Sequence, residues 1–217
     1  MKTIRLVTWV LAAAPPVLLA LFWGGLPDRV PVHWGLEGEV TYGARWELAV
    51  PALLPLLLLV LLRLLPRLDP RRKSYGRFQR EYDGFALALT LFLLGLNAVT
   101  LVEALRPGAL SVGRVVLAGV GIFFAWTGNL LPRVKSNFFM GFRTPWTLSD
   151  PDVWNRTNRL GGILMFALGV MLVPCGLLLP EWVCLVVLLG GVAVMVVVPS
   201  VLSYLWYRQK VDRAGGK

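Results

Sequence analysis

The chain has 217 residues, of which 57% are hydrophobic and 16% are charged, and its mean hydropathy is +0.68. Soluble domains have an apolar content of about one half or less, so this composition excludes an ordinary soluble domain and indicates an integral membrane protein. The formal net charge of +10 does not require a nucleic-acid partner, because the cytoplasmic loops of membrane proteins are normally basic.

Six stretches of the sequence are apolar over roughly twenty residues, the length that crosses about 30 Å of hydrocarbon as a helix. The first stretch also has the basic start of a signal peptide, but its apolar run continues to Phe22, which is longer than a signal core. The sequence therefore predicts an all-α membrane protein, a bundle of six transmembrane helices. The predicted spans are residues 6–25, 48–66, 84–105, 112–131, 160–179 and 182–206.

The positions of lysine and arginine predict the orientation of this bundle, because cytoplasmic loops carry an excess of these residues. With the N-terminus in the cytoplasm, eighteen of the 22 cations lie on the cytoplasmic side and four lie outside. Both termini are therefore predicted to be cytoplasmic. The four outer cations are Arg29, Arg45, Arg106 and Arg114.

The first two spans form a predicted N-terminal unit over residues 1–66, with one sizeable outer loop at residues 26–47. Its Pro and Gly residues favour turns and its Trp residues suit the membrane interface, so we expect a structured lid. His33, Trp34 and Gly38 are its candidate recognition positions. The spacing of His33 from the nearby carboxylates matches no metal-ligand pattern, so we expect this histidine to form hydrogen bonds within the loop and to bind no metal.

A basic cytoplasmic arm follows the second span at residues 67–83. Tyr75, Phe78 and Tyr82 recur there at helical spacing among cations, a pattern that fits an amphipathic segment on the inner leaflet. A solvated basic loop is the alternative. Each cation near the membrane surface would gain about 1 kcal/mol from anionic lipids. Arg63, at the end of the second span, is expected to extend its side chain to the interface.

The centres of the predicted spans carry no ionisable residue in the sequence. Such residues mark ion and proton pathways, so this pattern disfavours a pump. Asn97 is expected to form a hydrogen bond between helices. Cys175 and Cys184 flank the last outer turn, and we expect two buried apolar thiols rather than a disulfide.

Residues 128–162 form the one chemically distinctive stretch, in which cations, amides, aromatics, Gly and Pro are interleaved. Arg133, Lys135 and Arg143 stand beside aromatic residues, an arrangement that suits an anionic partner such as a lipid phosphate or an acidic protein surface. The candidate binding residues are Asn129, Pro132, Arg133, Lys135, Asn137, Gly141, Arg143, Thr144, Trp146, Thr147, Trp154 and Asn158.

The second half of this stretch contains a helix start. Asp150 is a typical N-cap and Pro151 suits the first helical position, so a helix is predicted to begin there and to continue into the fifth span. Trp154 and Asn158 lie one turn apart on its surface. We expect them to dock the preceding cytoplasmic loop, residues 132–159, against the bundle.

The order and spacing of these residues resemble the signature of the SdpI family of bacterial membrane proteins. The outer loop resembles a short domain of unknown function that often precedes the SdpI region. The resemblance implies a six-helix chain in which residues 84–217 form an SdpI-like four-helix region. It is carried by Gly128, Asn129, Pro132, Lys135, Asn137, Gly141, residues 143–148 and Trp154 in the motif, and by Leu26, Pro27, residues 30–34 and Gly38 in the outer loop.

For function, the resemblance implies immunity and signalling in a bacterial cell membrane. The family's namesake protects its producing cell from a secreted peptide toxin and sequesters a transcriptional repressor at the membrane. We therefore expect a receptor-like protein whose outer loop senses a peptide toxin or another envelope signal. The motif at residues 128–162 is then expected to recruit a cytoplasmic protein.

Two other functions are compatible with the sequence. A lipid-handling membrane protein or enzyme would bind anionic headgroups at the inner leaflet through the motif cations. A small transporter would use the first helix, in which Pro15 and Pro16 predict a kink. The motif contains no recognisable Ser-His-Asp set, metal cluster or paired acid and base, so we expect neither an enzyme nor a cofactor.

The sequence leaves the oligomeric state open. Gly161, Gly162 and Gly169 are small residues within one predicted span. Such residues permit close contact between helices, whether within one chain or between two chains.

Overall fold

The computed structural model describes residues 2–35 and 39–215. Six helices in this part of the chain are long and apolar enough to cross a membrane, which confirms the predicted six-helix membrane fold. A short additional helix lies between the fourth and fifth of them. The helices are α1 (Lys2–Phe22), α2 (Ala49–Leu68), α3 (Gln79–Leu105), α4 (Val112–Leu130), α5 (Pro145–Ser149), α6 (Pro151–Leu178) and α7 (Glu181–Gly215).

The fifth spanning helix, α6, begins at Pro151 as predicted, because Asp150 caps it. The Asp150 side chain accepts hydrogen bonds from two amides of the first turn, at 2.8 and 2.9 Å. The last helix, α7, is 35 residues long, and a rise of about 1.5 Å per residue makes it about 50 Å long. It therefore extends well beyond a hydrocarbon core of about 30 Å.

The predicted outer lid contains a β-hairpin, so the fold adds a small sheet to its helices. Strand β1 (Arg29–Trp34) pairs antiparallel with β2 (Val40–Ala44), and the register is irregular between Pro31 and His33. Val30 is fully buried and packs in an apolar cluster that anchors the hairpin on the bundle. The other buried members of the cluster are Leu26, Leu48 and Ala104.

The three recognition positions predicted in this loop have different surroundings. His33 is exposed and Trp34 is half-buried. Gly38 lies outside the described residues, as does the neighbouring Glu37. The hydrogen-bonding role assigned to His33 therefore stays a prediction.

Helices α4 and α6 form the closest helix pair of the bundle, and glycine makes this approach possible. A Cβ atom on Gly169 would lie 2.3 Å from the backbone nitrogen of Ala125, and one on Gly128 would lie 2.5 Å from that of Phe166. Gly162 faces the backbone of Gly128 in the same interface. The small residues for which the sequence left the partner open thus pack within one chain.

Asn97 forms the hydrogen bond expected of it. The side-chain nitrogen of Asn97 donates to the carbonyl oxygen of Pro51 at 3.0 Å, which confirms the predicted bond between helices. Cys175 and Cys184 are free thiols, and Cys184 is buried.

The connections between the spanning helices gather at two opposite ends of the bundle. The hairpin end carries the β-hairpin together with the turns at residues 106–111 and 179–180. The loop end carries the start of α1, the arm between α2 and α3, and the segment between α4 and α6. The placement of the loop end in the cytoplasm stays a prediction from the distribution of cations.

Candidate functional site

The loop end is built around residues 131–150, here called the motif loop, which fold back onto the first turns of α6. The indole nitrogen of Trp154 donates to the carbonyl oxygen of Val134 at 2.9 Å. One turn later, the Asn158 side-chain oxygen accepts from the backbone nitrogen of Phe142 at 2.8 Å. These two side chains on one helical face therefore hold the two halves of the motif loop.

Asn137 organises the centre of the motif loop from a fully buried position. Its amide nitrogen donates to the carbonyl oxygens of Lys135 and Met140 at 2.8 and 2.9 Å. Its side-chain oxygen accepts from the backbone nitrogens of Phe139 and Met140 at 2.8 and 2.7 Å. Buried backbone groups need such partners, so this side chain substitutes for secondary structure in the turn.

Gly141 follows this turn in a conformation that favours glycine. Its φ angle is +113°, a region that other residues enter only with strain. A Cβ atom at this position would also lie 2.4 Å from the side-chain oxygen of Asn158. Glycine therefore permits the close approach of the motif loop to α6.

The short helix α5 docks the end of the motif loop against α7. Thr144 caps α5 by accepting from the backbone nitrogen of Thr147 at 3.1 Å, and its hydroxyl lies 3.0 Å from that of Ser203. The Trp146 ring packs against Tyr204, with their centres 5.1 Å apart. Two residues of the predicted motif thus tie α5 to the last helix.

The basic arm packs under the motif loop, contrary to both sequence interpretations of this segment. Its predicted aromatic stripe faces the protein interior instead of the inner leaflet or the solvent. The rings of Tyr75 and Tyr82 pack edge to face, with their centres 5.2 Å apart. The buried apolar cluster consists of Tyr75, Phe78, Tyr82, Val134, Met140 and Trp154.

Asp69 connects the arm to the motif loop, although it belongs to none of the patterns noted in the sequence. Its carboxylate is 2% exposed and accepts hydrogen bonds from the Tyr75 hydroxyl at 2.8 Å and from the backbone nitrogen of Phe138 at 2.8 Å. Burial, followed by the hydrogen bond to Asp69, raises the pKa of Tyr75 well above its ordinary value. The hydroxyl therefore remains a proton donor throughout the physiological range.

Arg71 forms a second connection between the arm and the motif loop. Its guanidinium donates to the carbonyl oxygen of Leu148 at 2.6 Å and to the Ser136 hydroxyl. It also lies 5.4 Å from the ring centre of Phe138. A cation at this position is a poor candidate for an outside partner, because its donors are already used inside the protein.

Asp83 of α3 forms ion pairs that join α3 to α1 and α2. Its carboxylate is 1% exposed and accepts from Arg5 of α1 at 2.9 Å and from Arg63 of α2. The prediction that Arg63 extends to the membrane interface is therefore wrong, because its guanidinium points inward to a buried acid. No local pattern indicates this pairing, since the partners are distant along the chain.

The end of α7 is fixed to the start of α6 by a surface ion pair. The ammonium group of Lys210 lies 2.8 Å from an Asp150 oxygen and 2.6 Å from an Asp152 oxygen. The hydrogen bond from Lys210, together with bonds from the capped amides, lowers the pKa of Asp150. The same carboxylate thus caps one helix and binds another.

The candidate binding residues predicted from the sequence separate into two groups. Those that are buried or bonded within the motif loop are Asn137, Gly141, Thr144, Thr147, Trp154 and Asn158, and the half-buried Pro132 and Trp146 pack beside them. Those that are exposed to the surroundings are Asn129, Arg133, Lys135 and Arg143.

The exposed group offers positive charge on a rigid support. Arg133 reaches back to the carbonyl oxygen of Asn129 at 3.3 Å, and Arg143 bonds the carbonyl oxygen of Phe138. Within residues 2–35 and 39–215, no three His, Cys, Asp or Glu side chains lie close enough to hold a metal ion. Exposed cations of this kind suit an anionic surface.

Two family models match parts of the chain. The model of the SdpI/YfhL protein family matches residues 133–203, a range that begins in the motif loop and ends in α7. The model of a domain of unknown function, DUF1648, matches residues 10–59, which include the β-hairpin. Residues 60–132, with α3 and α4, lie outside both matches.

Two proteins of Bacillus subtilis (strain 168) are similar to this chain. The immunity protein SdpI is 28% identical over 127 residues, which cover 55% of this chain and 61% of that protein. The uncharacterized protein YfhL is 29% identical over 112 residues, which cover 50% of this chain and 96% of that protein. The match thus spans about three fifths of the length of SdpI.

No solved structure matches the chain. The matches nevertheless confirm the resemblance that the sequence suggested, in both the motif loop and the outer loop. This multi-pass membrane protein matches the SdpI/YfhL family model over residues 133–203 and, ahead of it, the DUF1648 model over residues 10–59.

Proposed function

We propose that this chain is an immunity protein of the bacterial cell membrane, which senses a secreted peptide toxin or a related envelope signal. The observation that supports this proposal most directly is its similarity to the immunity protein SdpI. The range that matches the SdpI/YfhL family model also covers most of the motif loop, residues 133–150, where side chains such as Asn137 and Trp154 bond the backbone.

In this proposal the motif loop is the docking surface for a cytoplasmic protein, such as a transcriptional repressor. Its buried residues fix the backbone, and Arg133, Lys135 and Arg143 stand exposed on it. Phe138 adds an apolar group beside them, with 38% of its surface exposed. Cations around an aromatic residue suit an acidic protein surface, because charge steers the encounter and the ring supplies contact area.

The hairpin end is the sensing side in the same proposal. The hairpin is anchored by the buried Val30 and by Leu26, Leu48 and Ala104, so a ligand that moves the hairpin acts directly on the ends of α2 and α3. Helices with short connections transmit such a displacement as rigid elements. A signal can therefore pass to the motif loop without an ion pathway through the membrane.

A second candidate function is the binding of anionic headgroups at the inner leaflet. The observation that favours it is the set of exposed cations on the arm, a segment that is hydrogen-bonded to the motif loop. Each such cation near an anionic surface contributes about 1 kcal/mol. The exposed cations of the arm are Arg67, Arg72, Lys73, Arg77 and Arg80.

Protection of living cells tests the immunity proposal. The chain is produced in Bacillus subtilis that lacks its immunity protein SdpI, and these cells are grown beside the toxin-secreting parent strain. We expect survival well above that of cells with an empty vector, with SdpI itself as the positive control. Survival equal to the empty vector, with the chain present in the membrane fraction, would contradict the proposal.

The binding of anionic headgroups is tested by a different measurement. Liposomes with and without anionic lipid are used to reconstitute the chain, and lipids that remain bound after detergent extraction are identified by native mass spectrometry. Retention of anionic lipid that depends on the arm cations would favour this second function. Equal retention of zwitterionic lipid would exclude it.

A further inference from the structure

A cavity of about 260 Å³ opens at the hairpin end, between the β-hairpin, the turn that joins α3 to α4, and the first turn of α7. Its walls include two aromatic side chains, Trp34 and Tyr42, and two carboxylates, those of Glu103 and Glu181. None of the described residues that line it is a cation. The cavity has room for one or two side chains of a ligand.

Glu103 gives this cavity a negative charge, and within the described residues its bonding partners include no cation. The residue is 4% exposed, and its carboxylate oxygens accept from the backbone nitrogens of Gly108 and Leu110 at 2.9 and 2.7 Å. Within the described chain, both donors are neutral. A buried carboxylate gains most from a positively charged donor, which a ligand would bring into the cavity.

The aromatic walls favour the same kind of ligand. Trp34 is half-buried and Tyr42 is 45% exposed, so both present ring surface to the opening. An ammonium or guanidinium group over such a ring is attracted by its negative face. Glu181 adds a second carboxylate to the walls of the same cavity.

The neighbouring strand indicates that the cation belongs to a peptide. In the described part of the chain, β2 has one pairing partner, β1, so its other edge is unpaired. Val40 and Tyr42 of β2 also line the cavity. An extended peptide can add to a free strand edge and place alternate side chains into adjacent pockets.

We infer that this cavity binds a lysine or arginine side chain of an extended peptide that approaches the hairpin end. The inference rests on the proposed function, because it names the chemical class of the signal that the protein senses. The backbone of the peptide lies along β2. Its basic side chain enters between Trp34 and Tyr42 towards Glu103 and Glu181.

Selection from a peptide library tests this inference and does not require a purified toxin. The full chain in phosphatidylcholine nanodiscs is used to select from a phage-displayed library of linear seven-residue peptides. We expect lysine and arginine to be enriched at least about twofold over the input. The same selection is made on Glu181→Gln and on Asp28→Asn, which removes one negative charge from the same end outside the cavity.

The affinity of an enriched, fluorescently labelled peptide is then measured by anisotropy. We expect Glu181→Gln to weaken binding about tenfold, because a charge-assisted hydrogen bond is replaced by a neutral one, whereas Asp28→Asn leaves it within about twofold. Tyr42→Leu, which retains the apolar volume, is also expected to weaken binding. Thermal unfolding of each variant shows whether the fold is retained.

Three results would overturn the inference. They are the absence of basic enrichment, equal affinity of the wild type and Glu181→Gln, and loss of enrichment when phosphatidylethanolamine replaces phosphatidylcholine. The last result would assign the cavity to a lipid amine. If no basic peptide binds but the chain still protects cells, the immunity proposal stands. If a basic peptide binds but the chain does not protect cells, only the immunity proposal is contradicted.

Discussion

Arg71 donates a hydrogen bond to the backbone carbonyl oxygen of Leu148 at 2.6 Å, and this contact joins two segments that are far apart along the chain. Arg71 lies in the basic arm and Leu148 in the motif loop. Together with Asp69 and Tyr75, it makes the arm a structural support for the motif loop. The two segments are therefore held together as one hydrogen-bonded unit.

Arg71→Met is expected to loosen the motif loop. The substitution removes the bonds to Leu148 and Ser136, each worth about 1.5 to 3 kcal/mol for a charged donor. Limited digestion with trypsin in nanodiscs, followed by mass spectrometry, should show faster cleavage after Lys135 and Arg143. Arg72→Met, which changes the exposed neighbour, is the control. Equal cleavage rates in both variants would contradict the supporting role of Arg71.

Gly141→Ala is expected to destabilise the loop end by about 1 to 3 kcal/mol, the range for a strained backbone position. The φ angle of +113° disfavours alanine, and the new Cβ atom would displace the Asn158 side chain. The free energy of unfolding is followed through the reaction of the buried Cys184 thiol with a fluorescent dye. Gly76→Ala, at a position with open space around it, should have a small effect. Similar losses of stability in Gly141→Ala and Gly76→Ala would contradict the expected backbone strain at Gly141.

The lowered pKa of Asp150 predicts that the free energy of unfolding depends on pH in the acidic range. The bond from Lys210 lowers its pKa from the ordinary value of 3.8, so its contribution is fully present above the unfolded pKa of about 4. The contribution is lost as the pH falls through the lower folded value. Asp150→Ala should cost about 1 kcal/mol at pH 7 through loss of the helix cap, and this difference from the wild type should shrink below about pH 4.

Asp150→Asn separates the two roles of this side chain. Asparagine is also a good N-cap, so this variant keeps the cap and loses the ion pair with Lys210. At pH 7 we expect a smaller loss than for Asp150→Ala, and this loss should also shrink below about pH 4, because the wild-type side chain titrates whereas asparagine does not. A difference between wild type and Asp150→Ala that is independent of pH would contradict the lowered pKa.

The predictable parts of the fold were those that depend on local sequence. Six apolar stretches identified six spans because the required length is fixed by the membrane. The start of α6 at Pro151 and the docking face of Trp154 and Asn158 followed from an N-cap and from helical spacing. The motif loop was located for a related reason, since its polar composition is unlike that of any span.

The missed parts depend on contacts between segments that are distant in sequence. Tyr75, Phe78 and Tyr82 form one periodic stripe, but the pattern does not say whether lipid or protein covers it. The inward position of Arg63 depends on Asp83, which lies on another helix. The buried role of Asp69 was hidden because acids are usually exposed in basic loops.

The central claim is that the exposed face of the motif loop is required for immunity, and cell survival tests it most directly. Arg143→Ala combined with Lys135→Ala is compared with Arg208→Ala combined with Lys2→Ala, which removes the same residue types at exposed positions elsewhere. The cells lack the immunity protein SdpI and grow beside the toxin-secreting parent strain. At equal membrane abundance and unfolding temperature, we expect the first variant to lose protection and the second to retain it. Full protection by the first variant would contradict the claim.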